Sequence, residues 1–173
     1  MKKIILCLFA LLIISCNNQD PEDNSNAETQ IELVTGINIK DSFDAPPTRL
    51  GNPNIKNNDE FTAFPNPPIG TLFLSSNYVI SDVWIVPANA DKIFQQVDFN
   101  RILISDLYSE NEINSKSNLK FIDQGSSTLS LNLETLDVGY YKVFVKIEDT
   151  IYWENIFASN GSQSIEELIE FWN

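Results

Sequence analysis

The side chains that most often carry out catalysis are scarce in this chain of 173 residues, which has no histidine at all. Without imidazole there is no Ser-His-Asp or Cys-His pair and no imidazole metal ligand. The thiols are Cys7, inside an apolar run, and Cys16, at its end. Six glycines form no phosphate-cradling loop, and no nucleophile elbow is present. Carboxylates are plentiful, with 24 Asp plus Glu against 11 Lys plus Arg. Paired acids hydrolyse glycosides when held at the right separation, so their positions matter. Glu110 and Glu112 fall in a polar loop, Asp59 and Glu60 precede the domain, and Glu166, Glu167 and Glu170 lie on the polar side of a terminal helix. None has the apolar setting that raises a carboxyl pKa for acid catalysis. Calcium is the one metal suited to such ligands, and the spaced Asp-x-Asp-x-Asp-Gly loop it prefers is missing. The expectation is a protein with no catalytic residues, no metal and no cofactor, hence not an enzyme.

Aromatic side chains remain for binding. Tyr78, Tyr108, Tyr140, Tyr152, Trp84 and Trp153 are the candidates, with Tyr152 and Trp153 the pair most able to contact a ligand such as a sugar face. A formal net charge of -13 without a basic cluster argues against nucleic acid.

The elements that must position these residues read as strands. Ile31 to Lys40 alternates with period two, and Asp41 to Asn58, rich in Pro and Asn, reads as a long loop or linker. Further strands are expected at Thr71 to Ser75, Val79 to Val86, Arg101 to Leu107, Leu119 to Ile122, Thr128 to Leu133, Tyr140 to Ile147 and Ile151 to Phe157. The last two form a hairpin around Glu148-Asp149-Thr150. In its first arm Val143, Val145 and Ile147 face one way, and Tyr140, Lys142, Phe144 and Lys146 the other. Ala88 to Val97 reads as a short helix. Ser164 and Glu167 have capping-box spacing before a helical face of Ile165, Leu168, Ile169 and Trp172. Seven or eight short strands with turns between them predict an all-β antiparallel sandwich with a short C-terminal α-helix.

The N-terminus carries an address. Met1-Lys2-Lys3 precedes an apolar run of 11 residues, Ile4 to Ile14, too short to span a bilayer, for which about 20 are needed. Ile13-Ile14-Ser15-Cys16 resembles the lipobox of bacterial lipoproteins. The resemblance implies removal of residues 1–15 as a signal peptide and lipidation of Cys16 with diacylglyceryl and an acyl chain such as palmitate. Residues 16–30 would then be a flexible acidic tether, in which Gln19-Asp20-Pro21-Glu22-Asp23 resembles the acidic export signals of some surface lipoproteins. Residues 31–58 are the N-terminal strand and Pro/Asn-rich loop, and 59–173 the sandwich with its helix.

Two further motifs carry a resemblance of fold. Asp137-Val138-Gly139-Tyr140-Tyr141 is similar to the corner of immunoglobulin-like domains, which implies that Tyr141 hydrogen-bonds back to the backbone, that Gly139 permits the turn, and that Trp84 is a core aromatic. Phe64-Pro65-Asn66-Pro67, with Leu131, Leu133, Leu136, Gly139, Tyr140 and Tyr141, resembles the immunoglobulin-like C-terminal sorting domain of type IX secretion cargo, over roughly residues 61–157. Asp149-Thr150-Ile151 resembles an O-glycosylation acceptor, which would modify Thr150. The resulting expectation is a lipoprotein of the outer membrane, on the periplasmic face or cell surface of a diderm bacterium. It would be held by its lipid and act as a non-enzymatic interaction module for a protein or glycan partner, with no nucleic acid. The alternatives are a carbohydrate-binding accessory lipoprotein using Tyr152 and Trp153, and a type IX cargo-like sorting domain.

Overall fold

The computed structural model describes residues 30–56, 59–93, 97–99, 101 and 107–173. The leader, Cys16 and residues 17–29 lie outside the described residues, as do most of the strand expected at Arg101 to Leu107 and the central part of the helix expected at Ala88 to Val97. The fold is all-β, consistent with a sandwich, with a short C-terminal helix. Its strands are β1 (Leu33–Val34), β2 (Gly36–Ile39), β3 (Thr48–Gly51), β4 (Phe61–Phe64), β5 (Thr71–Ala90), β6 (Leu119–Phe121), β7 (Ser126–Asn132), β8 (Gly139–Ile147) and β9 (Thr150–Ala158). Among the described residues the helices include α1 (Glu110–Lys116) and α2 (Ile165–Trp172).

Strand β5 organises the molecule. The sequence suggests two strands here, but the chain runs through 20 residues without a break. Its first half lies between β4 and β7, and its second half pairs with β6 and β8. Register shifts between Ser75 and Ile80 and between Ile80 and Asp82 mark where it bends from one layer into the other. The bend folds the sheet onto itself. Leu72 and Leu74 from the first half meet Val83 and Ile85 from the second, together with Val143 and Val145 of β8, in one buried cluster, each such aliphatic side chain contributing about 1.5–3 kcal/mol by leaving water. Val143, Val145 and Ile147 are buried on this face, as their alternation predicts.

The opposite face of the β5–β8–β9 layer is also covered. Trp84, Phe144 and Trp153 pack with Phe99, Tyr108 and Ile113 of α1. Trp84 is therefore a buried aromatic, but outside the cluster that joins the two layers. Farther along, Phe157 and Tyr140 lie beneath β2, β3 and α2. The strand expected from Ile31 to Lys40 is split at Thr35, whose hydroxyl donates to the Asn52 carbonyl. Its β1 part pairs parallel to the end of β5, so Ala88 and Ala90 are strand rather than helix. The loop expected over Asp41 to Asn58 contains β3, paired antiparallel to β2 from Gly36–Gly51 to Ile39–Thr48. Pairing and burial of Leu50 supply what local composition hid.

Candidate functional site

The corner residues occupy a well-defined turn. The Tyr141 hydroxyl donates to the Asp137 carbonyl at 2.9 Å, and burial first, then the Asp137 charge, push its pKa up. Gly139 is not required for the bend: its φ is not positive, and an added Cβ would meet nothing within 4 Å. The role expected for Gly139 is corrected accordingly. The second correction concerns Trp153. It is 1% exposed, and its indole N–H donates to the Asn54 carbonyl at 2.6 Å, so it faces the interior and no ligand. Tyr152 is half-buried, with the Lys56 ammonium 5.0 Å from its ring centre. Thr150 opens β9 opposite Ile147, next to the turn at Glu148 (φ 55°).

Three buried amides fasten the N-terminal segment to β9. Asn54 donates to the Leu33 carbonyl at 2.6 Å and accepts from Asn155 at 2.6 Å. Asn155 also donates to Gly36. Asn66, between Pro65 and Pro67, donates to the carbonyls of Asn38 and Asn155 and accepts from the Phe157 amide. Asn54 and Asn66 have both ends of their amides hydrogen-bonded, as buried polar groups require, whereas the Asn155 Oδ1 has no hydrogen-bond partner among the described residues. The aromatic-Pro-Asn-Pro motif thus supplies an amide that stitches β2 to β9.

Two ionisable groups outside the expected site residues, Glu154 and Lys142, have unusual environments. Glu154 sits on β9 with its carboxyl in a cavity of about 230 Å³. The Asn38 amide donates to it at 3.0 Å. Burial pushes its pKa up to about 7, against the opposing pull of Asn38, Lys40 and Arg49. Lys40, Lys56, Asp59 and Thr62 line the same cavity, with Pro47, Ile55 and Phe61 as apolar wall. The other group, Lys142, is fully buried on β8. Its ammonium donates to the Gln30 carbonyl at 3.2 Å and the Tyr108 hydroxyl at 3.3 Å, and burial lowers its pKa to about 7. Burial also raises the Tyr108 pKa. The available signal was a charged residue in the middle of each strongly apolar hairpin arm.

A second recess lies on the outer face of the β4–β5–β7 layer. Phe64 and Phe73 stack with ring centres 5.7 Å apart, and Phe43 meets Phe64 edge-on at 6.0 Å. Phe43 is 50% and Phe73 41% exposed. With Ser75, Thr128, Leu129 and Ser130 they line a groove of about 350 Å³ that contains no charged side chain. Alternation explains it: the register pairs Phe64 with Phe73 and Phe73 with Ser130, outward, while Leu72, Leu74 and Leu131 turn inward. Among the described residues β7 pairs on one side only, with β5.

Fold and surface together define an all-β protein with a short terminal helix, whose recesses include an apolar aromatic groove and a polar cavity. Among the described residues no group of three or more His, Cys, Asp or Glu could hold a metal, and no helix is long and apolar enough to cross a membrane. No family model, curated protein or solved structure matches the chain.

Proposed function

We propose that this chain is a lipid-anchored, non-enzymatic interaction module of the outer membrane or cell surface, and that its partner is a protein presenting an extended apolar segment with basic flanks. The observation that carries this reading is the groove of Phe43, Phe64 and Phe73 beside β7, which among the described residues pairs on one side only. An exposed apolar patch marks an interaction site, and an edge strand accepts an added strand through its backbone while neighbouring pockets take alternate side chains. Charge indicates the flanks. Asp41 and Asp44, both exposed, bracket Phe43, and the chain as a whole carries -13. Lys or Arg on the partner would be attracted to this rim. The carbohydrate reading based on Tyr152 and Trp153 loses Trp153 to the core. The groove's rings also do not form one flat platform, since Phe43 stands 65° to Phe64.

The test is photo-crosslinking in intact cells from a benzoylphenylalanine placed at Phe73. The expected product is one protein, crosslinked through an apolar segment flanked by Lys or Arg. A synthetic peptide of that segment should bind the purified chain, and Phe43→Asp should abolish the binding without changing the melting temperature. Crosslinks to a second copy of this chain or to lipid alone, or peptide binding indifferent to Phe43→Asp, would refute the proposal.

A further inference from the structure

The cavity lined from β2, β4 and β9 is independent of the aromatic groove, and its chemistry differs. Glu154 lies in its wall with one carboxyl oxygen held by Asn38. Around it stand groups that only donate, Lys40 and Lys56, groups that only accept when ionised, Asp59 and Glu154, and a hydroxyl that does both, Thr62. Pro47 and Ile55 add apolar wall, while Phe61, 7% exposed, belongs mainly to the core beneath it.

This mixture selects among ligands by elimination. A bare cation drawn to Glu154 would meet the fields of Lys40 and Arg49, which already act on that carboxyl. A bare anion drawn to the lysines would meet Glu154 and Asp59, and an apolar ligand would strip water from polar walls without replacing their hydrogen bonds. A neutral polyhydroxyl ring avoids all three conflicts. Each of its hydroxyls donates to a carboxylate and accepts from an ammonium or amide, and its C–H face lies against an apolar wall. The volume, about 230 Å³, falls below the range of drug-sized pockets, about 300–1,000 Å³. That size suits a single ring.

We infer that this cavity is a binding site for one sugar residue, with Glu154 and Asp59 accepting from ring hydroxyls, Lys40 and Thr62 donating, and Pro47 and Ile55 against the ring face. The balance of charge around Glu154 fits this role, because burial holds its carboxyl near the midpoint between acid and anion at neutral pH. In either form it hydrogen-bonds a hydroxyl, as acceptor or as donor. The site shares no lining residue with the groove of Phe43, Phe64 and Phe73, so it stands or falls separately from the protein-docking reading.

Saturation-transfer NMR on the detergent-solubilised full chain tests it. The probes are the methyl glycosides of glucose, galactose, mannose, fucose and N-acetylglucosamine, with glycine betaine and inorganic phosphate for comparison. At least one glycoside should bind saturably with millimolar affinity. Glu154→Ala and Thr62→Val should each weaken it by about tenfold, about 1.4 kcal/mol, while Phe73→Ser leaves it unchanged. Thr62 is only half-buried, which keeps the test readable should Glu154→Ala fail to fold. No saturable binding by any glycoside at tens of millimolar, betaine or phosphate binding in place of sugar, or sugar binding unaffected by Thr62→Val would overturn the inference.

Discussion

At the scale of single residues, the sheet carries two ionisable groups of opposite charge, the fully buried Lys142 and the half-buried Glu154, whose pKa values burial draws toward 7 from opposite sides. The Glu154 carboxyl, raised from 4.5 to about 7, keeps its proton in the folded chain over a range in which the unfolded chain has lost it. Its stabilising contribution is complete below about pH 4.5 and is lost as pH rises through 7. Lys142, lowered from 10.5 to about 7, behaves oppositely. Its contribution is complete above about pH 10.5 and is lost as pH falls through 7. The two together place a trough in stability near pH 7. Glu154→Gln should flatten the acid limb and Lys142→Met the alkaline limb, each raising stability at neutral pH by about 1–3 kcal/mol. Urea midpoints measured at about pH 5, 7 and 9 check this, and a Glu154→Gln midpoint that falls as steeply as the parent between pH 5 and 7 would contradict it. The residues to examine were visible in the sequence as charges set inside apolar strands. Their environments were not, because Lys142 is covered by Gln30 and Tyr108, respectively 112 and 34 positions away.

Among the elements, helix α2 shows how local and distant causes combine. Its capping box forms as the spacing indicates, with the Ser164 hydroxyl accepting from the Glu167 amide and the Glu167 carboxylate accepting from the Ser164 amide. Eight residues are too few to stay helical alone. Packing supplies the rest: Leu168 and Trp172 are buried against Ile37, Leu50 and Phe157, while Ile165 and Ile169 remain largely exposed. The helical face is therefore narrower than the sequence pattern suggests. Removing residues 162–173 should lower the melting temperature, and Ser164→Ala should cost about 1 kcal/mol. An unchanged melting curve in the truncated chain would mean that the helix does not support the sandwich. The β8–β9 hairpin was legible because its alternation and its turn agree. Strand β3 was not, since only pairing with β2 and the cover provided by Trp172 make Thr48–Gly51 a strand.

For the whole molecule, the anchor proposed at Cys16 and the described domain meet at Gln30, whose carbonyl accepts from Lys142. If the lipid reading is right, Cys16→Ala should abolish incorporation of radioactive palmitate and release the protein from membranes, and retention of both would refute it. Several chains are required for firm attachment, since each buried methylene is worth about 0.8 kcal/mol and a single chain binds only marginally. Once residues 1–15 are removed, 9 basic and 24 acidic side chains remain, a net charge of -15. The exported part would carry the full acidity of the chain. Such a surface favours basic partners and repels phosphate backbones.

The sequence by itself determined the all-β class, most strand positions, the capped terminal helix and the absence of imidazole chemistry, because these follow from residue type and from periods of two and 3.6. The tertiary structure alone decided which aromatics face water. Trp153 turned inward toward the Asn54 carbonyl, while Phe43, Phe64 and Phe73, drawn from three separate segments, came together on the outside. It also decided that Glu154 lines a cavity. Strand alternation assigns a residue to a face, but whether that face is covered depends on which distant segment folds over it.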